Sequence, residues 1–342
     1  MSSSSAPSSD KAGPVVTQHR TWIPLVITGL IIGAAFIAVY VGLQRAPTPH
    51  KLPVAAVGGQ LTSAAQTRLG DSLDVTQVSS IDEGAVLVRS GDAVAVVGAA
   101  SRTGLQFEYA GASGLSESGA ARQVVAGLAR EAGLTVQETD IAPLVKYDSR
   151  GLSAFYVVFG VTLSSFVLAQ GLTGAIATVR LRHRLYAMAG FAVAIGVVAA
   201  TIAGPIYGSL TPSFPLLAVS LILLSAASAF ATKALGAWLG PPGIGLAVLL
   251  LTTIGNATSG AAIGFDLLPG WAQAVSAKLP PGAAVRAIND FAYFRGSHAV
   301  SALAVLGIWF VAGLVLVLLR QWTTARRTSE SAVEAEPQAT TG

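Results

Sequence analysis

The sequence predicts a membrane all-α bundle of six transmembrane helices with an inserted extracytoplasmic α/β domain. Three observations predict it: a composition too apolar for a water-facing surface, six separate apolar stretches of about 20 residues, and one long polar interval between the first two of them. Of the 342 residues, 52% are hydrophobic and 11% charged, where a soluble domain carries roughly 25% charged residues. Burial relieves an apolar residue only while polar residues remain to cover the outside, so the bilayer is the solvent that fits this chain. The net charge of +4 does not indicate a nucleic-acid partner, because the basic residues are scattered or sit at span ends, where anionic headgroups attract them. The absence of cysteine excludes disulfides, thiolate catalysis and Cys-ligated metal. An extracytoplasmic domain must then hold itself together by core packing.

A helix needs about 20 apolar residues to cross the hydrocarbon core, with its backbone polar groups satisfied internally. The qualifying stretches run approximately Trp22 to Leu43, Leu152 to Gly174, Leu185 to Tyr207, Phe214 to Ala234, Gly243 to Gly264 and His298 to Leu319. Apart from Lys233, one residue from the end of the fourth and read with the loop that follows, none contains Asp, Glu, Lys or Arg. Ion-driven transporters place ionisable residues at mid-membrane, and these stretches offer none. Lys and Arg are retained on the cytoplasmic side of short loops. Arg180, Arg182 and Arg184, then Lys233, then Arg320, Arg326 and Arg327 alternate onto one face, which places both termini in the cytoplasm of a bacterial plasma membrane protein. The first apolar run exceeds a signal-peptide core and no A-x-A-like site follows it, so it reads as a retained span.

The domain plan is therefore a disordered cytoplasmic N-terminus over 1–21, transmembrane helix 1 over 22–44, and an extracytoplasmic α/β domain over 45–150. A five-helix transmembrane domain follows over 151–320, with an interrupted outer segment at 265–297, and then a disordered cytoplasmic tail over 321–342. Within the polar interval, Pro53 to Val57, Ala93 to Val97, Leu105 to Tyr109 and Leu134 to Glu138 read as strands, and Leu61 to Leu73 and Ser118 to Ala132 as helices. Its acids, including Asp71, Asp74, Asp82, Glu83, Glu108 and Asp140, form no catalytic or metal-ligating constellation. We expect no enzyme, no cofactor and no metal.

Two motifs stand out. Asp148-Ser149-Arg150-Gly151 reads as a turn and helix start before the second span, with Asp available to cap backbone N–H groups. Gly255-Asn256-Ala257-Thr258-Ser259-Gly260, followed by Leu267-Leu268-Pro269-Gly270-Trp271 and Leu279-Pro280-Pro281-Gly282, combines a small, polar half-span with a segment too broken by proline to cross. On these motifs, and on one span before a large outer domain with five after it, the chain resembles membrane subunits of type-2 ABC exporters. Within those it is similar to the YhgE/Pip (phage infection protein)-like permeases of bacteria. Family members show Asp-Pro-x-Gly and Gly-Asn-Pro where this chain has Ser149 and Ala257. The resemblance implies a permease subunit that moves a hydrophobic or amphipathic compound or lipid outward, as a homodimer or a heterodimer with a related permease. It implies energy from a separate cytoplasmic ABC ATPase subunit, and no G-x-x-x-x-G-K-[ST] loop occurs here. A non-transporting envelope scaffold, secretion accessory or phage or surface receptor is the alternative.

Residue by residue, Arg180, Arg182, His183 and Arg184 occupy the loop where such exporters contact their ATPase, although topology alone also places positive residues there. Thr252, Asn256, Ser259 and Gly260 share one helical face of the fifth span, and Gly160, Ser164 and Gln170 lie on the second. Both sets are candidates for a substrate path or dimer seam, or simply for close helix packing. In the outer segment, Pro269, Trp271, Pro280 and Pro281 shape short helices, and Arg286 and Asp290, four apart, are expected to pair on an amphipathic helix at the headgroups, with membrane lipid as neighbour. His298 reads as interfacial.

Overall fold

A computed structural model describes residues 23–70, 72–174 and 179–335; the terminal segment expected over 1–21, Asp71 and the last seven residues lie outside them. The chain enters through α1 (Ile23–Gln44). The α/β domain follows as β1 (Leu52–Val57), α2 (Gly59–Leu69), β2 (Leu73–Val78), α3 (Ile81–Ser90), β3 (Ala95–Ala99), β4 (Gly104–Tyr109), α4 (Leu115–Ala132) and β5 (Thr135–Asp140). Then come α5 (Ser153–Gly174), α6 (Leu181–Ile206), α7 (Phe214–Leu239), α8 (Pro241–Ala257), α9 (Gly270–Ser276), α10 (Pro280–Tyr293) and α11 (Ala299–Ala335).

The sheet order is β2-β1-β3-β4-β5. All neighbours are parallel except the antiparallel β3–β4 pair. One sheet face packs Leu52, Val54, Ala56 and Phe107 under α2 and α4, through Ala65, Ala121, Val125 and Ala129. The other packs Ala55 and Val96 under Val88 of α3. Central strands covered on both faces read as continuous apolar runs, which is why β1 and β3 were visible in the sequence. The edge strand β2 buries Leu73 and Val75 on one face and Val78 on the other, and its exposed Asp74, Thr76 and Gln77 hid it. Leu73, expected to end a helix, instead pairs with Leu52 as the first residue of β2. Helix α3 was also missed, although the Ser80 hydroxyl accepts the Glu83 N–H at 3.1 Å, the capping signature of Ser-x-x-Glu.

Five helices are long and apolar enough to cross a membrane: Val26–Gln44, Ser153–Gly174, Leu181–Ile206, Phe214–Leu239 and Ala299–Arg326. The chain is thus a multi-pass helical membrane protein with a separate α/β domain. The stretch expected as a further span, Gly243 to Gly264, is a shorter helix. It ends at Ala257 and contains a π-helical run over Val248–Ile254; just past that run Pro281 packs against Gly255, where an added Cβ would stand 3.0 Å from the proline Cγ. Three other boundaries move. Helix α6 starts at Leu181, so Arg182, His183 and Arg184 lie in its first turn rather than in a loop. Helix α7 continues to Leu239, which places Lys233 inside it and 3% exposed. Helix α11 continues to Ala335, so the segment expected as a disordered tail is helical as far as it is described.

Helix α7 is the hub: 67% of its apolar window is buried against 6% for α1, and it packs on α5, α6, α10 and α11. Close approach on two sides depends on glycine. A Cβ on Gly196 of α6 would sit 2.7 Å from the Ile222 backbone nitrogen, and one on Gly313 of α11 would sit 2.8 Å from the Phe230 carbonyl carbon. The hydroxyls of Ser165 on α5 and Ser225 on α7 meet at 2.7 Å, a contact worth about 0.6 kcal/mol between membrane helices. Gly196→Val and Gly313→Val are each expected to cost about 1–3 kcal/mol by overpacking, measured as unfolding of the purified protein in mixed micelles. Gly190→Val, which meets open space within 4 Å, should cost little.

Candidate functional site

Between α8 and α11 the chain turns back into the bundle. The turn after α8 passes Gly260 at a φ of 81° and runs beneath the α/β domain before re-entering as α9 and α10. Pro269 caps α9, while Pro280 and Pro281 occupy the first turn of α10, where a missing N–H costs nothing. The prolines therefore start these helices as well as preventing a longer one. Helix α10 packs into the bundle: Ala283, Ala284, Val285 and Ile288 are inside the main core with Val158, Leu217, Leu221 and Leu306. The Trp309 indole donates to the Lys278 carbonyl at 2.7 Å. Trp309 is ten residues into α11, so the tip of the hairpin lies about 15 Å along that helix.

Arg286 and Asp290 do not form the expected pair, because burial gives each a nearer partner. Arg286 Nη2 donates to the Ala277 carbonyl at 3.1 Å and its guanidinium stands 5.7 Å over the Phe265 ring. Asp290, 5% exposed, accepts the His298 N–H at 2.6 Å. His298 then reaches the domain, with Nε2 3.3 Å from Asp92 Oδ1. Phe294, just after α10, packs into the α3 side of the domain core. Trp271 is largely exposed, as suits an interfacial aromatic.

The strongest link between domain and bundle is one that sequence reasoning missed. Glu117, in the first turn of α4, is 4% exposed, and its Oε1 accepts the Asp266 N–H at 2.7 Å. The Gly264 backbone passes so close that a Cβ there would stand 2.3 Å from Glu117 Cγ. Asp266 also accepts, through its carbonyl, the His50 N–H at 2.9 Å, tying in the chain just past α1. Burial pushes the Glu117 carboxyl well above the usual carboxylate range, and the neighbouring Asp266 adds to this. Burial raises Asp266 to about 6, raises Asp290, and pushes the Arg286 guanidinium down. These groups border a cavity of about 350 Å³ whose walls come from both domain and hairpin. That volume lies in the range of small-molecule sites. Among the described residues no group of His, Asp and Glu side chains can hold a metal ion.

The other sequence candidates divide. Thr252 and Asn256 are buried in α8, with Asn256 Nδ2 donating to the Tyr40 hydroxyl of α1 at 3.0 Å. Ser259 and Gly260 are in the turn beyond α8 rather than on its face, and both line the cavity. On α5, Gly160 and Gln170 point away from the bundle and Ser164 is half-buried, while Thr162 and Ser165 face inward. Arg180 precedes α6, and Arg184 is 8% exposed. At the start of α5, Asp148 Oδ1 accepts the N–H groups of Leu152 and Ser153, each at 3.0 Å, the capping geometry its motif implied. Asp266 had a visible signal, being the only acid between Gly243 and Leu279; Glu117 had none.

Comparison with protein-family models, with curated proteins and with solved structures finds no match to this chain. What the fold and site define is a class: a helical membrane protein whose α/β domain is docked on a re-entrant hairpin.

The raised carboxyls give a pH dependence of definite sign. An acid whose folded pKa exceeds its unfolded value near 4 favours folding most when protonated, and that contribution is lost as pH rises from about 4 through the folded value near 6. Asp266→Asn should therefore be more stable than the wild type at pH 7.5, with the difference shrinking toward pH 4.5, as read by thermal unfolding of both proteins across that range. A constant difference would contradict the assignment.

Proposed function

We propose that this chain is the permease subunit of an ABC-type exporter that moves a hydrophobic or amphipathic compound or lipid outward, using ATP hydrolysed by a separate cytoplasmic subunit. The observation that carries this reading is the hairpin. Helix α10 packs inside the bundle beneath the docked domain, with α9 leading into it, where a solute leaving the membrane interior would meet the 350 Å³ cavity. Non-helical backbone at membrane depth is tolerated only where protein or water-filled space surrounds it, which makes such a hairpin a natural wall of a path. The missing phosphate-binding loop suits an external motor.

In this reading α8 is the sixth crossing. Its 17 residues lie at the short end of the crossing range. Its neighbours α7 and α11 are joined at the end opposite the domain, where Trp238 donates to the Leu316 carbonyl at 2.9 Å and Arg320 to the Ala237 carbonyl at 3.0 Å. That end carries Arg180, Arg182, Arg320 and Arg326 and is the cytoplasmic one under the positive-inside rule. The outward-facing Gly160 and Gln170 of α5 suit a seam with a second permease chain.

The cysteine-free sequence permits single-cysteine topology mapping. A membrane-impermeant maleimide added to intact cells should label Ser101→Cys in the domain and leave Gln321→Cys unlabelled until the cells are permeabilised; the reverse would overturn the orientation. Affinity purification from its native membrane should bring down an ATPase whose hydrolysis rises several-fold in the complex. A chain that purifies alone, while deletion of 52–140 abolishes binding of an external partner, would favour the receptor or scaffold reading instead.

A further inference from the structure

A second polar feature lies at the opposite end of the bundle and has no role in the junction. Lys233 of α7 is 3% exposed and Arg184 of α6 is 8% exposed. The Arg184 guanidinium is near enough to act electrostatically on the Lys233 ammonium. The acceptor shown for Lys233 is the Thr173 hydroxyl in the last turn of α5, at 3.2 Å. Arg184 Nε and Nη1 are buried with no hydrogen-bond partner among the described residues. Two adjacent buried cations are strongly unfavourable without a counter-ion, and both stand more than one residue inside their helices.

The chain itself cannot supply that counter-ion from the surrounding helices. From Ser149 to Phe265 the sequence contains no Asp or Glu, which covers α5, α6, α7, α8 and their links. The first acid on α11, Glu330, is ten residues beyond Arg320, whose guanidinium already reaches the end of α7 at Ala237. Glu330 is thus about 15 Å farther out along the helix.

The surface at the same end of the bundle points to the source. An open groove of about 640 Å³ runs between the start of α6 and α11, lined by Arg180, Leu181, Arg182, Leu185, Leu318 and Gln321. Leucine walls with arginines at the rim match an acyl chain below an anionic headgroup, and basic pockets between membrane helices take such headgroups. The burial of Lys233 and Arg184 also restricts the occupant to a small oxyanion on a thin stem, since a folded surface could not reach them.

We infer that Arg184 and Lys233, with the Thr173 hydroxyl, form a phosphate-type oxyanion site at the end of the bundle opposite the α/β domain, filled by the headgroup of an anionic phospholipid or by free phosphate. The site requires no transport and is independent of the exporter reading. It predicts that the α5–α6–α7 contact is held together partly by a bound lipid.

The test uses the full chain, delipidated in an uncharged detergent, with three probes: phosphatidylglycerol, diacylglycerol with the same acyl chains, and inorganic phosphate. Phosphatidylglycerol should raise the thermal midpoint with the logarithm of its concentration, by about 5 °C at a hundredfold excess over Kd, and diacylglycerol should not. An equal gain from inorganic phosphate identifies the free anion as the occupant; a gain from the lipid alone identifies the headgroup. Lys233→Met should lose most of the gain while its lipid-free midpoint equals or exceeds that of the wild type, because a buried unpaired cation has been removed. Arg184→Gln carries the same comparison should Lys233→Met not fold. Equal gains from diacylglycerol and phosphatidylglycerol on the wild type, or an undiminished gain in either variant, would overturn the site.

Discussion

In hydrocarbon there is no water to satisfy a backbone N–H or C=O, so every break in a helix at membrane depth must be enclosed by protein or line a wet cavity. This chain breaks between Ala257 and Pro280, and the rest of the structure follows from enclosing that break. Helices α5, α7 and α11 surround α10, Trp309 of α11 satisfies the Lys278 carbonyl at the hairpin tip, and Arg286 satisfies the Ala277 carbonyl. The α/β domain closes the open end through Glu117, which accepts the Asp266 N–H. The bundle is built around α7 because a central helix with Ala, Ser and Gly neighbours lets four partners approach at once. Its central position, with two thirds of its apolar window buried, is the geometric condition for holding a short hairpin inside.

The junction joins two kinds of stabilisation that pull in different directions. Apolar contacts such as Phe294 against the α3 face fix the domain on the bundle, whereas Glu117, Asp266 and Asp290 are carboxyls raised by burial and disfavour the ionised state there. A contact of this kind opens more readily than an apolar one of equal size when its acids ionise. Polar groups retained at a contact that could have been apolar fit a seam that moves, and the cavity lies on that seam. The opposite end has the complementary imbalance, cations without acids. One side of the bundle thus carries buried acids and the other buried bases, separated by helices with almost no charge.

Sequence reasoning recovered what periodicity and run length record. Covered strands β1 and β3 and helix α4 were legible from their buried faces, and α1, α5, α6, α7 and α11 from apolar runs long enough to cross a membrane. The edge strand β2 and the exposed helix α3 were not, since β2 buries only Leu73, Val75 and Val78 and α3 only the side chains of Ala85 and Val88. The prolines at 269, 280 and 281 announced short helices dipping into the outer leaflet, but not which residues they pack against. Only the tertiary packing of Ala283, Ala284 and Val285 shows that α10 turns inward, for an amphipathic helix at the headgroups would carry the same apolar face. Likewise Lys233 is the only charged residue between Arg184 and Asp266, a plain signal, yet its burial became visible only when α7 was found to run on to Leu239.

The central claim is that the hairpin reaches deep into the bundle. Spin labels at Lys278→Cys and Gln321→Cys, both exposed positions in a cysteine-free chain, measure it by pulsed dipolar spectroscopy. With Lys278 level with Trp309, twelve residues above Gln321, the separation along α11 is about 18 Å, and the distance distribution should centre near ~20 Å. A centre at about 30 Å or more, the thickness of the hydrocarbon core, would place the segment at the headgroups and contradict the account.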